Sequence, residues 1–206
     1  MRRKMKKPER IVFATGNQNK VKEIREIMEG FDIPVVSMKE AGLSIDVIED
    51  GKTFEENALI KAKALWEKCG GLVLSDDSGL EVDALNKEPG IYSARYLGYD
   101  TSYHEKNGDL IRRLQGVPDE KRTARFVCAV AAVFPDGSEK VVRGVMEGRI
   151  GYEEKGQNGF GYDPIFLLPK YGKTTAELPP EVKNNEGHRG KALRMMKEEI
   201  EKVIEN

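Results

Sequence analysis

Apolar and polar positions along this chain of 206 residues follow two different periods, and the change from one to the other predicts most of its elements. Residues 11–14 form a short apolar run that predicts a strand. A polar loop follows over 15–19, and then Val21, Ile24, Ile27 and Met28 recur at helical spacing on one face of a helix over 20–28. A second short strand is expected over 34–38. Thr53 and Glu56 stand three residues apart, the spacing of a capping box, ahead of a long helix that should stop at Gly70-Gly71. Residues 72–75 and 80–85 read as strand-like runs and 101–115 as a helix. Two long strand patterns, 122–134 and 138–150, flank Pro135-Asp136-Gly137 and read as a hairpin. A glycine-rich loop over 156–162 leads into a short strand over 165–168, and a charged amphipathic helix from about Arg189 closes the chain. Early strand-helix alternation followed by a hairpin predicts an α/β fold with a mixed parallel/antiparallel sheet, in two lobes around a central cleft.

One segment departs from these periods. In LVLSDDSGL, residues 72–80, an apolar strand-like run meets two adjacent carboxylates, Asp76 and Asp77, followed by Ser78-Gly79. Aspartate is poor in strands, so the pair reads as carboxylates held out from a strand tip toward a ligand or metal. Asp-Asp-Ser-Gly is equally good turn chemistry, and both readings stand on this segment alone.

Composition narrows the classes. The charged fraction is 33%, but 34 basic and 35 acidic residues leave a net charge of −1. No basic field or aromatic-studded basic stripe invites nucleic acid. The length suits a single domain over 1–206 with a basic tail over 1–9. That tail is followed by only four apolar residues, too few for a signal-peptide core or a membrane span, so a soluble, cytoplasmic protein is expected. Cys69 and Cys128 form no CxxC pair and read as reduced thiols. With only His104 and His188 beside them, neither a structural zinc site nor a Ser-His or Cys-His nucleophile pair has the spacing it needs. Hydrolytic chemistry here would lean on carboxylates.

Several candidates fit such chemistry, each with an ordinary structural alternative. Thr15, Gly16, Asn17, Gln18, Asn19 and Lys20 lie between a strand and a helix N-terminus, where free N–H groups and the helix dipole favour an anion; a plain helix cap would look the same. Helical projection places Lys61 at the margin of an apolar face, able to snorkel or to deliver charge to phosphates. Glu49, in a loop before the capped helix, is a third acidic candidate beside Asp76 and Asp77, or a surface turn. Phe160, Gly161, Tyr162 and Asp163 place aromatics among glycines, as a wall for a planar ligand or as core. Lys183, His188 and Arg189 offer donors near the last helix, for a carbonyl-rich ligand or as helix-start polar residues.

Together, TGNQNK at 15–20, ENALIKAKA at 56–64, SDDSGLEVDAL at 75–85, PGIYSARY at 89–96, GFGYDPIF at 159–166 and GHRGKAL at 187–193 closely resemble the inosine and xanthosine triphosphate pyrophosphatase family, nearly end to end. The resemblance implies a Mg²⁺-dependent homodimer that cleaves the nonstandard purine nucleoside triphosphates ITP, dITP and XTP between the α and β phosphates. On this reading the 15–20 loop and Lys61 hold the triphosphate. Asp77, with Glu49 as co-ligand, binds Mg²⁺ and acts as base, with Asp50 or Asp76 as alternatives to Glu49, and Ser78 contacts substrate. Phe160 stacks on the purine, Gly161, Tyr162 and Asp163 shape that wall, and Lys183, His188 and Arg189 read the base. Donors aimed at a 6-oxo oxygen would meet the amino group of adenine, which leaves polar groups unpaired. One departure is visible: Gly187 stands where the family is expected to carry serine, a change expected to loosen that turn. Two other readings compete, a non-catalytic purine-nucleotide sensor and a phosphatase with an aspartate nucleophile.

Overall fold

In the computed structural model, which describes residues 5–204, the first element is β1 (Ile11–Phe13), buried along its whole length. After it come α1 (Gln18–Ile27), β2 (Val35–Ser37), α2 (Phe54–Cys69), β3 (Leu72–Val82), α3 (Tyr103–Arg113), β4 (Thr123–Val133) and β5 (Glu139–Ile150). β6 (Phe166–Leu168), β7 (Lys173–Thr174), α4 (Pro180–Glu186) and α5 (His188–Val203) complete the chain. Residues 1–4 of the basic tail lie outside the described residues; Met5 of that segment donates its N–H to Val203 O at 2.7 Å.

The strands form a sheet in the order β2-β1-β3-β4-β5-β6-β7. β1 runs parallel to both β2 and β3, while β6 is antiparallel to β5 and β7. The expected mixed α/β sheet is therefore present. Between β4 and β5, Phe134 N–H donates to Ser138 O near the turn and Ile150 N–H to Arg122 O at the far end, each at 2.9 Å. These two pairings share one antiparallel register, so the hairpin carries no net insertion. Its turn closes because Gly137 adopts φ +80°, a left-handed conformation that costs glycine little.

The chain divides into two compact units. The first takes the described residues up to Asp77, Cys128–Gly144 and those from Arg189 on. Its core joins Ile24 and Met28 of the α1 segment, Leu72 and Leu74 of β3, and Leu193, Met196 and Ile200 of α5. The second unit takes Ser78–Val127 and Val145–His188, around Leu80, Leu110, Phe126, Ile150, Ile165 and Phe166.

β3 corrects one expectation. Residues 72–82 are a single strand, so Asp76 and Asp77 lie mid-strand, neither at a tip nor in a turn. Side chains alternate along a strand, and Leu72 and Leu74 join the core beneath α1 and α5 while Ser75 turns to α2, donating its hydroxyl to Ala58 O. Asp76 therefore points to the α1 and α5 face and Asp77 to the α2 face. Two aspartates are tolerated inside a buried strand because each finds cationic partners on its own side, a tertiary term that outweighs local propensity.

α2 starts and stops where expected. Thr53 Oγ1 accepts from Glu56 N at 3.1 Å, and Gly70 ends the helix at φ +59°. The capping box is only half formed, because the Glu56 carboxylate takes the N–H of Lys52 at 2.5 Å. α4 was not foreseen: its seven residues begin on a Pro-Pro step and show no apolar periodicity. Cys69 and Cys128 are both free thiols, and burial pushes the Cys128 thiol up to about 12. Among the described residues no helix is long and apolar enough to cross a membrane.

Candidate active site

The first unit gathers most of the sequence-derived phosphate and metal candidates. Asn17 caps α1, its Oδ1 accepting from Asn19 N at 3.0 Å and Lys20 N at 3.2 Å, while Thr15 Oγ1 accepts from Asn17 N at 3.2 Å. The loop is thus a helix cap in this geometry. The first turn of α1 carries no acidic residue, so the positive end of the helix dipole keeps its attraction for an anion. Gly16 and Gln18 lie in the same loop, and a Cβ on Gly16 would meet nothing within 4 Å.

Lys20 reaches from α1 to Asp76, Nζ to Oδ2 at 2.9 Å. Asp76 is 1% exposed and also faces Arg189, whose Nε lies 3.6 Å from the same oxygen. Arg189 in turn pairs with Glu23, one turn after Lys20 on α1. Burial alone would raise the Asp76 pKa, but Lys20, Arg189 and Lys61 outweigh it and hold the carboxyl well below its usual range. Asp76 is therefore a fixed anion that places Lys20.

Asp77 sits differently. Its Oδ2 accepts from Asn57 Nδ2 at 3.2 Å, and its Oδ1 lies 3.7 Å from Lys61 Nζ. Lys61 also pairs with Glu49 at 3.2 Å, so one ammonium draws in both carboxylates named from sequence. Burial raises the Asp77 pKa, with Glu49 and Asp76 adding to the rise and Lys61 and Lys20 opposing it. A carboxylate whose proton affinity is raised in a site rich in lysine suits a general base.

Asn57 was missed as a site residue although it stands in a quoted motif. It is fully buried and joins two pieces, because Gly51 N donates to its Oδ1 at 2.9 Å while its Nδ2 serves Asp77. Only glycine fits at 51, where a Cβ would come 2.6 Å from Asn57 Oδ1. The available signal was position: Asn57 and Lys61 are four apart on α2 and share a face.

Asp77 and Glu49 offer hard oxygen donors of the kind Mg²⁺ takes. Among the described residues no group of three or more His, Cys, Asp or Glu is placed to hold a metal. This donor set matches an ion carried by one or two carboxylates together with water and substrate oxygens. Asp50 is not drawn into these contacts, and Asp76 is turned to the opposite face of the sheet.

The second unit holds the candidates for the planar ligand. Asp163, 2% exposed, is their hub: it accepts from Phe160 N at 2.8 Å, Thr175 Oγ1 at 2.8 Å and Lys183 Nζ at 2.6 Å. Lys183 Nζ also lies 4.9 Å from the Phe160 ring centroid. Tyr162 is buried, and its hydroxyl donates to Ser93 O at 2.7 Å. His188 stacks on Phe126 with ring centroids 4.9 Å apart. Ser78 follows Asp77 directly in β3 as the first residue of this unit. His188 and Arg189, taken together in the sequence reading, are divided: His188 belongs with this unit and Arg189 with the buried acids of the first.

Gly187 ends α4 with its N–H on Lys183 O at 2.7 Å, so the turn is closed and not loosened. A Cβ there would come 2.3 Å from that oxygen. Gly187→Ser is therefore expected to lower unfolding free energy by about 1–3 kcal/mol, the usual range for forced overpacking. Denaturant titration checks it, and an unchanged midpoint would show that the turn yields freely.

A mixed α/β chain that sets lysines against buried carboxylates beside a helix N-terminus has the makings of an enzyme for phosphorylated substrates. Comparison with known proteins is specific: residues 11–199 match the model of the Ham1 family, and the chain belongs to that family. It is 49% identical over 197 residues to a dITP/XTP pyrophosphatase of Caldanaerobacter subterraneus subsp. tengcongensis, covering 95% of this chain and 98% of that one. A dITP/XTP pyrophosphatase of Bacillus cereus is 44% identical over 198 residues, covering 95% and 97%. Among solved structures, the Ham1 protein of Staphylococcus aureus superposes with a TM-score of 0.84 at 41% identity, covering 94% of this chain and 98% of that one.

Proposed function

We propose that this protein hydrolyses nonstandard purine nucleoside triphosphates, ITP, dITP and XTP, to the nucleoside monophosphate and pyrophosphate, clearing them from the cytoplasmic nucleotide pool. The observation that carries the reading is Asp77: a buried carboxylate of raised proton affinity, oriented by Asn57 and Lys61 in the unit that also holds the 15–20 loop and Lys20. The substrate class is supported by what the relatives are named for.

In this mechanism Asp77 takes the proton of a water molecule as its oxygen attacks the α phosphorus. The bond from that phosphorus to the bridging oxygen breaks, and pyrophosphate leaves with the electron pair. Lys61 and Lys20 lie against the charge that builds on the phosphate oxygens, and Asn17 holds the helix end toward them. Asp77 and Glu49 would hold Mg²⁺, which when bound supplies Lewis-acid polarisation and neutralises phosphate charge. Phe160 gives the purine a face to stack on, with its backbone held by Asp163. Lys183 and His188 supply donors for a 6-oxo base. Arg189 serves through Asp76 and Glu23. The active form is proposed to be a homodimer, for which the family resemblance is the support.

A panel of nucleoside triphosphates with Mg²⁺ and product analysis tests the proposal. ITP and XTP should be turned over at least about 10²-fold faster than ATP, with pyrophosphate as product. Equal rates with ATP, or release of orthophosphate, would overturn it.

A further inference from the structure

The loop that presents Phe160 is gripped from two sides, and the mechanism above uses only one of them. Gly159 at φ +73° and Gly161 at φ +69° flank Phe160. Two left-handed glycines leave the backbone little stiffness of its own, so the ring's position must come from hydrogen bonds. On one side Phe160 N donates to Asp163. On the other stands Asn107 of α3, 1% exposed and absent from every site considered so far.

Asn107 Nδ2 donates twice, to Glu154 Oε1 at 2.6 Å and to Gly161 O at 3.3 Å. Reversing the amide would set its oxygen against two acceptors, so these neighbours fix the orientation. Glu154 is held in turn by His104, Nδ1 to Oε2 at 2.5 Å. Tyr103, four residues before Asn107 and on the same face of α3, packs edge-on against Tyr162 with centroids 5.2 Å apart. It also closes the space beside Gly161, where a Cβ would lie 3.5 Å from its ring. The Phe160-Gly161 step is thus clamped by Asp163 at its N–H and by Asn107 at its C=O.

We infer that Asn107, backed by Glu154, is a positioning residue for purine recognition: its amide holds the Gly161 carbonyl and so sets where the Phe160 ring is presented to the base. The inference rests on the reading of Phe160 as the stacking wall. Asn107, 1% exposed, acts through the Gly161 carbonyl. Its effect belongs in KM, because the phosphate chemistry runs on residues of the other unit. A merely structural role would reduce the folded fraction, which lowers kcat and leaves KM where it was.

The test uses the full-length enzyme with ITP and Mg²⁺, together with hydrogen exchange of the 160–162 amides in the nucleotide-free protein. Asn107→Ala is expected to raise KM for ITP about tenfold, with kcat within about twofold, and to speed exchange locally at those amides. Glu154→Ala, at a partly exposed position, should reproduce a smaller rise and serves if Asn107→Ala fails to fold. Glu154→Gln keeps the acceptor for Asn107 and should restore KM to within about twofold of wild type. An unchanged KM in both alanine variants overturns the inference. Should the wild type fail to turn over ITP, the functional reading falls and exchange alone decides: unchanged exchange at 160–162 in the alanine variants overturns the positioning role.

Discussion

Asp77→Asn is expected to lower kcat about 10²–10⁴-fold, the span that a positioned general base contributes, while nucleotide affinity stays within about threefold. Asparagine has nearly the same shape and keeps an oxygen for Asn57 to donate to, so the α2 face of β3 should hold its geometry. What is lost is proton acceptance, together with one of the two carboxylates that would hold Mg²⁺. Lys20, Lys61 and the 15–20 loop remain to grip phosphate, and loss of one negative charge beside them does not weaken that grip. Steady-state pyrophosphate release together with calorimetric binding separates the two effects. If the variant kept more than about a tenth of wild-type turnover, Asp77 would not be the base.

Arg189→Met should be among the most destabilising single changes in the first unit, costing about 3–5 kcal/mol of unfolding free energy. The guanidinium faces Asp76 and Glu23 in a buried site, and its removal strips both acids of a shared cation, leaving Lys20 and the more distant Lys61 to offset Asp76. The pH dependence has a definite sign. Because the folded Asp76 pKa lies below the unfolded value of about 3.9, its stabilising contribution is complete above that pH and is lost as pH falls below it. Denaturant unfolding at pH 7 and near pH 3 should show a wild-type loss of about 1 kcal/mol from Asp76, still growing toward lower pH, and a smaller one in Arg189→Met. A cost under about 1 kcal/mol at pH 7 would mean that the buried acids find relief elsewhere. Activity should fall along with stability, since Asp76 is what holds Lys20.

These two experiments treat neighbouring carboxylates in opposite ways, a difference that local sequence rules hide and that only the family resemblance anticipates by singling out Asp77. By those rules Asp76-Asp77 reads as a symmetric pair at the end of a strand. A continuous β3 sends the two side chains to opposite faces, one to a buried cation cluster and the other to Asn57 and Lys61. The same logic divides His188 from Arg189. Neighbours on a helix point about 100° apart, enough to give one a ring to stack on and the other two acids to pair with.

Local rules were sufficient wherever neighbours in the chain decide conformation. The β4-β5 hairpin follows from two alternating runs around Pro135-Asp136-Gly137, and α2 from Thr53 at its start and Gly70 at its stop. The ordered motifs pointed to the family whose model residues 11–199 match. The structure alone decided how charged and polar groups pair across distant segments: Lys20 with Asp76, Arg189 with Glu23, Asn57 with Gly51 and Asp77. It also decided that two aspartates can lie inside a buried strand. Propensity weighs a residue against its neighbours in sequence, whereas the cost of a buried carboxylate depends on cations that the fold brings to it from far along the chain.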